Sequence, residues 1–341
     1  MRVAAAFSLR FEVTQPQSCG YETDIIQGEE DMAVNIKGRS LASLADLTKE
    51  EIEQILRTSE LLKLQTLRGQ EHPLLKGKTL AMIFEKPSTR TRVSFEAGMW
   101  QLGGYALYLS ATDLQLGRGE TIADTARTLS RYVNGIMARV FGHQTILDLV
   151  KFSTVPVING LSDFAHPCQG LADLFTIYEK KGQLSGLKLA YLGDGNNVAH
   201  SLIYGCSKVG MDIGLACPRG YEPDARVVSE GREEAKKKGR VVTVTNDPVE
   251  VVLGADIVYT DVWASMGKEK EHEERVRVFK PYQVNTELVK RAKQDYIFMH
   301  CLPAHRGEEV TDEVADSKNS VIFDQAENRL HTQKALMALI M

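Results

Sequence analysis

The chain has 341 residues, 25% charged and 43% hydrophobic, a globular composition with length for two domains of about 150 residues each. Its formal charge of −4 gives no basic excess for a nucleic-acid backbone, and no apolar run approaches the ~18–20 residues of a membrane span. Five cysteines, at 19, 168, 206, 217 and 301, show neither CxxC spacing nor a paired pattern, which speaks against a disulfide framework and for a reducing compartment.

Residues 1–31 read as a loose extension. Met1-Arg-Val-Ala-Ala-Ala-Phe-Ser-Leu-Arg10 could open an organelle presequence, but Glu12, Asp24, Glu29, Glu30 and Asp31 are acids such segments lack, and Met32 is an alternative start. The expected location is therefore cytoplasmic, with the mitochondrial matrix as the alternative. Thr48-Lys-Glu-Glu51 is a capping box that opens a helix near 49–63, with Ile52, Ile55 and Leu56 on its apolar side. From Thr79 apolar strands alternate with amphipathic helices. The strands are expected at 79–84, 105–109, 135–140 and 155–158, then at 187–192, 211–216, 240–244, 256–259 and 295–299. The helices fall at 88–101, 120–133, 143–152, 166–181, 198–209, 223–238 and 285–293, and a last one runs from Gln325 to Met341. Strict alternation dictates right-handed crossovers and parallel sheets covered on both faces, so the expected class is α/β with two doubly wound sheets and a cleft between them.

Lys86-Pro-Ser-Thr-Arg-Thr-Arg-Val93 is the most informative stretch. It sets three hydroxyls and two guanidiniums at a strand-to-helix junction, where free N–H groups and the helix dipole favour an anion. Arg90 and Arg92 can add bidentate bonds to phosphate oxygens, while Val93, Phe95, Met99 and Leu102 supply the buried face. Further motifs fall where strands end: His166-Pro-Cys-Gln169, Gly193-Asp-Gly-Asn-Asn197, Asp261-Val-Trp-Ala-Ser-Met-Gly267 and His300-Cys-Leu-Pro303. Taken alone, His166 before Pro167 suits a helix cap, Asp261 a turn and Trp263 a core position. Gly193 and Gly195 suggest a dinucleotide fingerprint, but Val198 stands where Gly or Ala is wanted and no acid ends the next strand. The charged run Lys268-Glu-Lys-Glu-His-Glu-Glu-Arg275 reads as a solvated helix face, or as a mobile lid.

Phe84-Glu-Lys-Pro-Ser-Thr-Arg-Thr-Arg92, followed in order by the His-Pro-Cys-Gln, Ser-Met-Gly and His-Cys-Leu-Pro segments, resembles the aspartate/ornithine carbamoyltransferase family, from about Lys37 to the C-terminus. The last two segments are similar to its ornithine branch. The resemblance implies transfer of a carbamoyl group from carbamoyl phosphate to the δ-amine of L-ornithine, giving citrulline, with aspartate, putrescine and acetylornithine as alternative acceptors. A nicotinamide dehydrogenase is the rival from another class. Implied domains are a carbamoyl-phosphate part at 32–165, an ornithine part at 166–324, and a helix at 325–341 returning to the first. Ser88, Thr89, Arg90, Thr91 and Arg139 would hold the phosphate. His166, Gln169, Leu302 and Arg329 would address the carbamoyl group, with Cys301 beside the attacking amine and no covalent intermediate. Asp261, Ser265, Met266 and Asn197 would grip ornithine. Gln115 would come from a neighbouring subunit of a homotrimer. No metal or cofactor is implied.

Overall fold

The computed structural model describes residues 34–112, 119–264 and 271–341. Helix α1 (Lys49–Leu67) opens on the expected capping box, with Glu51 N donating to Thr48 Oγ1 at 3.2 Å and Thr48 N donating to Glu51 Oε2 at 2.8 Å. Strands β1 (Thr79–Phe84), β2 (Tyr105–Ser110), β3 (Gly135–Arg139) and β4 (Val157–Leu161) form one parallel sheet in the order β2-β1-β3-β4. It carries helices α2 (Thr89–Gln101), α3 (Ile122–Leu129) and α4 (His143–Phe152). Helix α5 (Pro167–Lys181) leads into a second parallel sheet of β5 (Lys188–Leu192), β6 (Asp212–Ala216), β7 (Val242–Thr245), β8 (Ile257–Thr260) and β9 (Ile297–His300), ordered β7-β6-β5-β8-β9. Its helices are α6 (Asn197–Val209), α7 (Ala225–Lys236), α8 (Pro248–Val252), α9 (His272–Phe279), α10 (Thr286–Val289) and α11 (Asp312–Ala315).

Each sheet reverses its winding once, between β1 and β3 in the first and between β5 and β8 in the second. Open α/β sheets bind ligands outside the carboxyl ends of the strands at such points. The motifs at 85–91, 193–197, 261–264 and 300–303 all follow these strand ends.

Helix α12 (Ile322–Ile340) packs on α1, α2 and α5. Its Lys334 is fully buried and donates to Thr66 Oγ1 at 2.6 Å and Gln101 Oε1 at 2.9 Å, reaching α1 and α2 together. Burial pulls that ammonium down to about 8. A Cβ on Gly98 of α2 would stand 3.2 Å from Lys334 Cγ and from Met337 Cε, so the glycine sets how closely α12 approaches.

Several expectations are corrected. Val93 is 56% exposed; the inner face of α2 carries Thr91, Phe95, Gly98 and Met99 at helical spacing, which leaves position 93 facing outward. The helix expected over 285–293 stops at Val289, and α8 and α11 were not expected because helices of four or five residues carry too little periodicity. The charged run is not a uniformly solvated face. Residues 268–270 lie outside the described residues, but α9 begins at His272 and its Arg275 is 3% exposed. The described cysteines, 168, 206, 217 and 301, are free.

The Gly193/Gly195 pair answers to chain packing. Gly193 has φ 135°, and a Cβ on Gly195 would sit 2.1 Å from Pro223 N. Gly195→Ala should therefore push the β5–α6 loop off the backbone of 222–223 and lower stability by about 1–3 kcal/mol or more, because no rotamer relieves a backbone clash. Urea unfolding of variant and parent checks this, and an unshifted midpoint would contradict it.

Candidate active site

The wall contributed by the first sheet is built around Thr91. Ser88 is the N-cap of α2, its Oγ accepting from Thr91 N at 3.3 Å and donating to Thr91 Oγ1 at 3.2 Å. Thr91 Oγ1 also receives long contacts from Arg139 Nη1 at 3.5 Å and Arg329 Nη2 at 3.4 Å, both near the limit for a hydrogen bond. Arg139 ends β3, Arg329 comes from α12, and both are buried. Arg139 Nε has no partner. Half-buried Arg90 lines the same cleft. Burial first, then Arg329 and Arg90, pulls Arg139 down to about 10, and burial lowers Arg329 as well. Such a cluster lacks an anion.

Arg92 does not join it. Its guanidinium pairs with Glu96 at 3.0 Å and lies 3.9 Å from the Tyr108 ring centroid, so the expectation that it would touch phosphate is corrected. A residue two positions after Arg90 on a helix projects away from it.

The floor is the start of α5, where His166 is the N-cap and Pro167 the first helical residue. His166 is buried, its Nδ1 has no partner, and desolvation followed by Arg329, Arg139 and Arg90 drives it well below the ordinary histidine range. It is a neutral imidazole. Gln169 accepts from Arg329 Nη1 at 2.8 Å and donates to Asp173 Oδ1 at 2.8 Å. Gln325 Nε2 also donates to Asp173 Oδ1, at 2.7 Å, and Tyr259 OH donates to Oδ2 at 3.2 Å.

The wall contributed by the second sheet is acidic. Asp261, after β8, accepts from Asn196 Nδ2 at 2.8 Å and from Cys301 Sγ at 3.0 Å. Burial, reinforced by Asp261, raises the Cys301 thiol well above its usual range, so it is a protonated donor rather than a thiolate nucleophile. Leu302 holds φ at 57°, unfavourable for a residue with a Cβ, and its N donates to His300 Nδ1 at 2.9 Å. His300 Nε2 meets Glu309 Oε1 at 3.1 Å, both side chains fully buried. Asn197 Nδ2 donates to Ser162 O at 2.6 Å at the cleft edge. Beneath this wall Arg275 bonds Asp194 Oδ2 and Trp263 O, each at 2.8 Å, and Trp263 is a core residue as expected.

One cleft of about 1080 Å³ collects these groups. Ser88, Thr89, Arg90, Thr91, Arg139, His166, Gln169, Asn197, Asp261, Cys301, Leu302 and Arg329 all line it. Gln115, Ser265 and Met266 lie outside the described residues. Missed were Asn196, which the cap preference for Asn signalled, and Asp173, an acid inside an otherwise apolar helix. The Arg275–Asp194 pair gave no local signal, since it joins positions 81 residues apart.

The model of the carbamoyl-P binding domain of aspartate/ornithine carbamoyltransferase matches residues 39–179, and that of the Asp/Orn binding domain matches 185–340. The chain belongs to this family. Ornithine carbamoyltransferase of Thermococcus kodakarensis is 63% identical over 310 residues, covering 91% of this chain and 98% of that one. The anabolic ornithine carbamoyltransferase of Pyrococcus furiosus is 62% identical over the same shares. The solved Pyrococcus furiosus ornithine carbamoyltransferase superposes with a TM-score of 0.88 at 62% identity, covering 90% of this chain and 98% of that one.

Burial pushes the Asp173 carboxyl up to about 7, against the bonds from Gln169, Gln325 and Tyr259. Between roughly pH 4 and 7 the folded chain keeps a proton that the unfolded chain releases, so this group lowers stability as pH rises through that window. Asp173→Asn, neutral and nearly isosteric, should remove the slope and gain on the parent by on the order of a few kcal/mol from pH 4 to 8. Urea unfolding at both pH values checks it; parallel pH profiles would overturn it.

Proposed function

We propose that this chain transfers the carbamoyl group of carbamoyl phosphate to the δ-amine of L-ornithine. The observation that carries the reading is the set of Arg90, Arg139 and Arg329 around Thr91 at the start of α2, facing Asp261 and Cys301 across one cleft. Its names among the relatives agree.

The phosphate is held by Ser88, Thr89, Arg90, Thr91 and Arg139, which supply the helix N-terminus and charge-assisted bonds that a dianion needs. Neutral His166 and Arg329 donate to the carbamoyl oxygen, which becomes an oxyanion when the amine attacks; one such donor contributes about 3–4 kcal/mol in other enzymes. Gln169 Oε1, bonded once to Arg329, keeps a lone pair for the carbamoyl amide, as does the Leu302 carbonyl. Asp261 takes the α-ammonium of ornithine. Asn197, with Ser265 and Met266, takes its carboxylate, while the Cys301 thiol stands beside the δ-amine. Attack by the neutral amine forms the C–N bond, phosphate leaves with the electron pair of the C–O bond, and the amine proton passes to phosphate or solvent. The cleft volume exceeds the ~300–1,000 Å³ of an ordinary ligand site, room for two small substrates.

The domain roles follow the two halves: residues 32–165 hold carbamoyl phosphate, 166–324 hold ornithine, and 325–341 return Arg329 to the shared cleft. A homotrimer with Gln115 donated by the neighbour completes the proposal. Val93 and Trp100, seven apart on the outer face of α2 and 56% and 78% exposed, are apolar surface for a partner subunit to cover.

Arg90→Ala should weaken carbamoyl-phosphate binding about 100-fold or more while leaving the far-ultraviolet dichroism unchanged. Calorimetry decides, and unaltered affinity would refute the assignment. A δ-amine resembling lysine is mostly protonated at neutral pH, with a pKa near ~10.4, so turnover should rise with pH through titration of the bound amine. A flat profile from neutral to alkaline pH, or a steady-state preference for putrescine, acetylornithine or aspartate, would count against ornithine transfer.

A further inference from the structure

At the outer rim of the cleft, the first turn of α9 meets the loop that follows β9. His272 Nε2 lies 3.4 Å from Glu308 Oε1, and His305 Nδ1 lies 3.6 Å from Glu308 Oε2. The two imidazole centroids are 6.2 Å apart. The three side chains are 39%, 45% and 30% exposed, so solvent reaches all of them. Behind them Glu309 is fully buried. Its Oε1 accepts from His305 N at 2.6 Å and meets His300 Nε2 at 3.1 Å, while Oε2 has no partner. One ligating atom each from His305, Glu308 and Glu309 lies within 4.8 Å of the others.

Exposed ion pairs contribute only about 0–1 kcal/mol, so these histidines gain little from Glu308 alone. A tetrahedral metal with bonds of roughly 2.0–2.2 Å holds its nitrogen and oxygen donors about 3.4 Å apart, close to both separations here. Two imidazoles and a carboxylate form a borderline donor set that suits zinc, cobalt or nickel better than calcium or magnesium. The unpartnered Glu309 oxygen adds a buried acceptor behind the cluster, where a cation or its bound water would satisfy it.

We propose that His272, His305 and Glu308 form a site for a transition-metal dication that clips α9 to the loop following β9. This site is separate from the Asp261–Cys301 contact at the floor of the cleft, whose donor and acceptor already satisfy each other. Its consequence for catalysis rests on the carbamoyl-transfer reading. Arg275, in the same short helix as His272, holds Asp194 and the Trp263 carbonyl, and His305 stands three residues after Leu302. A bound ion would fix both sides of the entrance and slow turnover.

Calorimetric titration of the full chain with zinc, paired with the visible spectrum of its cobalt form, tests the site. We expect one equivalent whose affinity falls about tenfold or more in His272→Ala and in His305→Ala, since even indirect partners of a metal ligand cost about 10–100-fold. That equivalent should persist in Cys301→Ser, and its cobalt spectrum should lack a sulfur-to-metal charge-transfer band. Absence of saturable binding overturns the proposal. So does affinity indifferent to both histidine variants, or an equivalent that disappears with Cys301→Ser. Binding is read without turnover, so failure here leaves the transfer reading standing, and a chain that binds zinc as expected but transfers no carbamoyl group refutes only the latter.

Discussion

The burial of two guanidiniums beside each other, Arg139 and Arg329, is the constraint on which the rest of this molecule turns. Neither has a carboxylate ion-pair partner among the described residues, and each reaches the Thr91 hydroxyl only at hydrogen-bond limit. An isolated buried charge is strongly disfavoured. Here the cost is met by the cooperativity of the whole fold, because Arg139 is fixed by a central strand and Arg329 by a helix that packs on α1, α2 and α5. The charges are held ready for an anion that arrives later, which is the physical content of electrostatic preorganisation.

The same logic explains the neutral groups around them. His166 stays uncharged because burial and three neighbouring arginines oppose a further positive charge. An uncharged imidazole can still donate a hydrogen bond, so the floor of the cleft can polarise a carbonyl without repelling the guanidiniums. Asp173 sits one layer behind and orients Gln169, which in turn holds Arg329. Across the cleft Asp261 is kept in place by Asn196 and the Cys301 thiol, so the negative wall faces the positive one. Opposite charges on opposite walls let one cleft take a phosphate and an ammonium together.

Much of this was legible before any coordinates. The nine strands among the described residues lie within about two residues of their expected positions except that β4 runs to Leu161, since parallel strands buried on both faces leave apolar runs bounded by polar turns. The motif at 86–92 was visible because a phosphate site at a helix start needs hydroxyls and arginines close in sequence. Less legible was which members point inward: Arg90 enters the cleft while Arg92 stacks on Tyr108, and Val93 faces out although it is apolar. Helical phase relative to a distant partner, α12, made that choice.

The sequence by itself determined the elements, their parallel arrangement and the chemical types gathered at the strand ends, because those follow from periodicity, capping and spacing over a few residues. Only the tertiary structure decided that Arg329 meets Gln169 and Thr91, that Arg275 reaches Asp194, and that Asn196 rather than Asn197 holds Asp261. Those contacts join residues 65 to 238 positions apart, and they exist because desolvated polar groups must find partners wherever the packed core brings them.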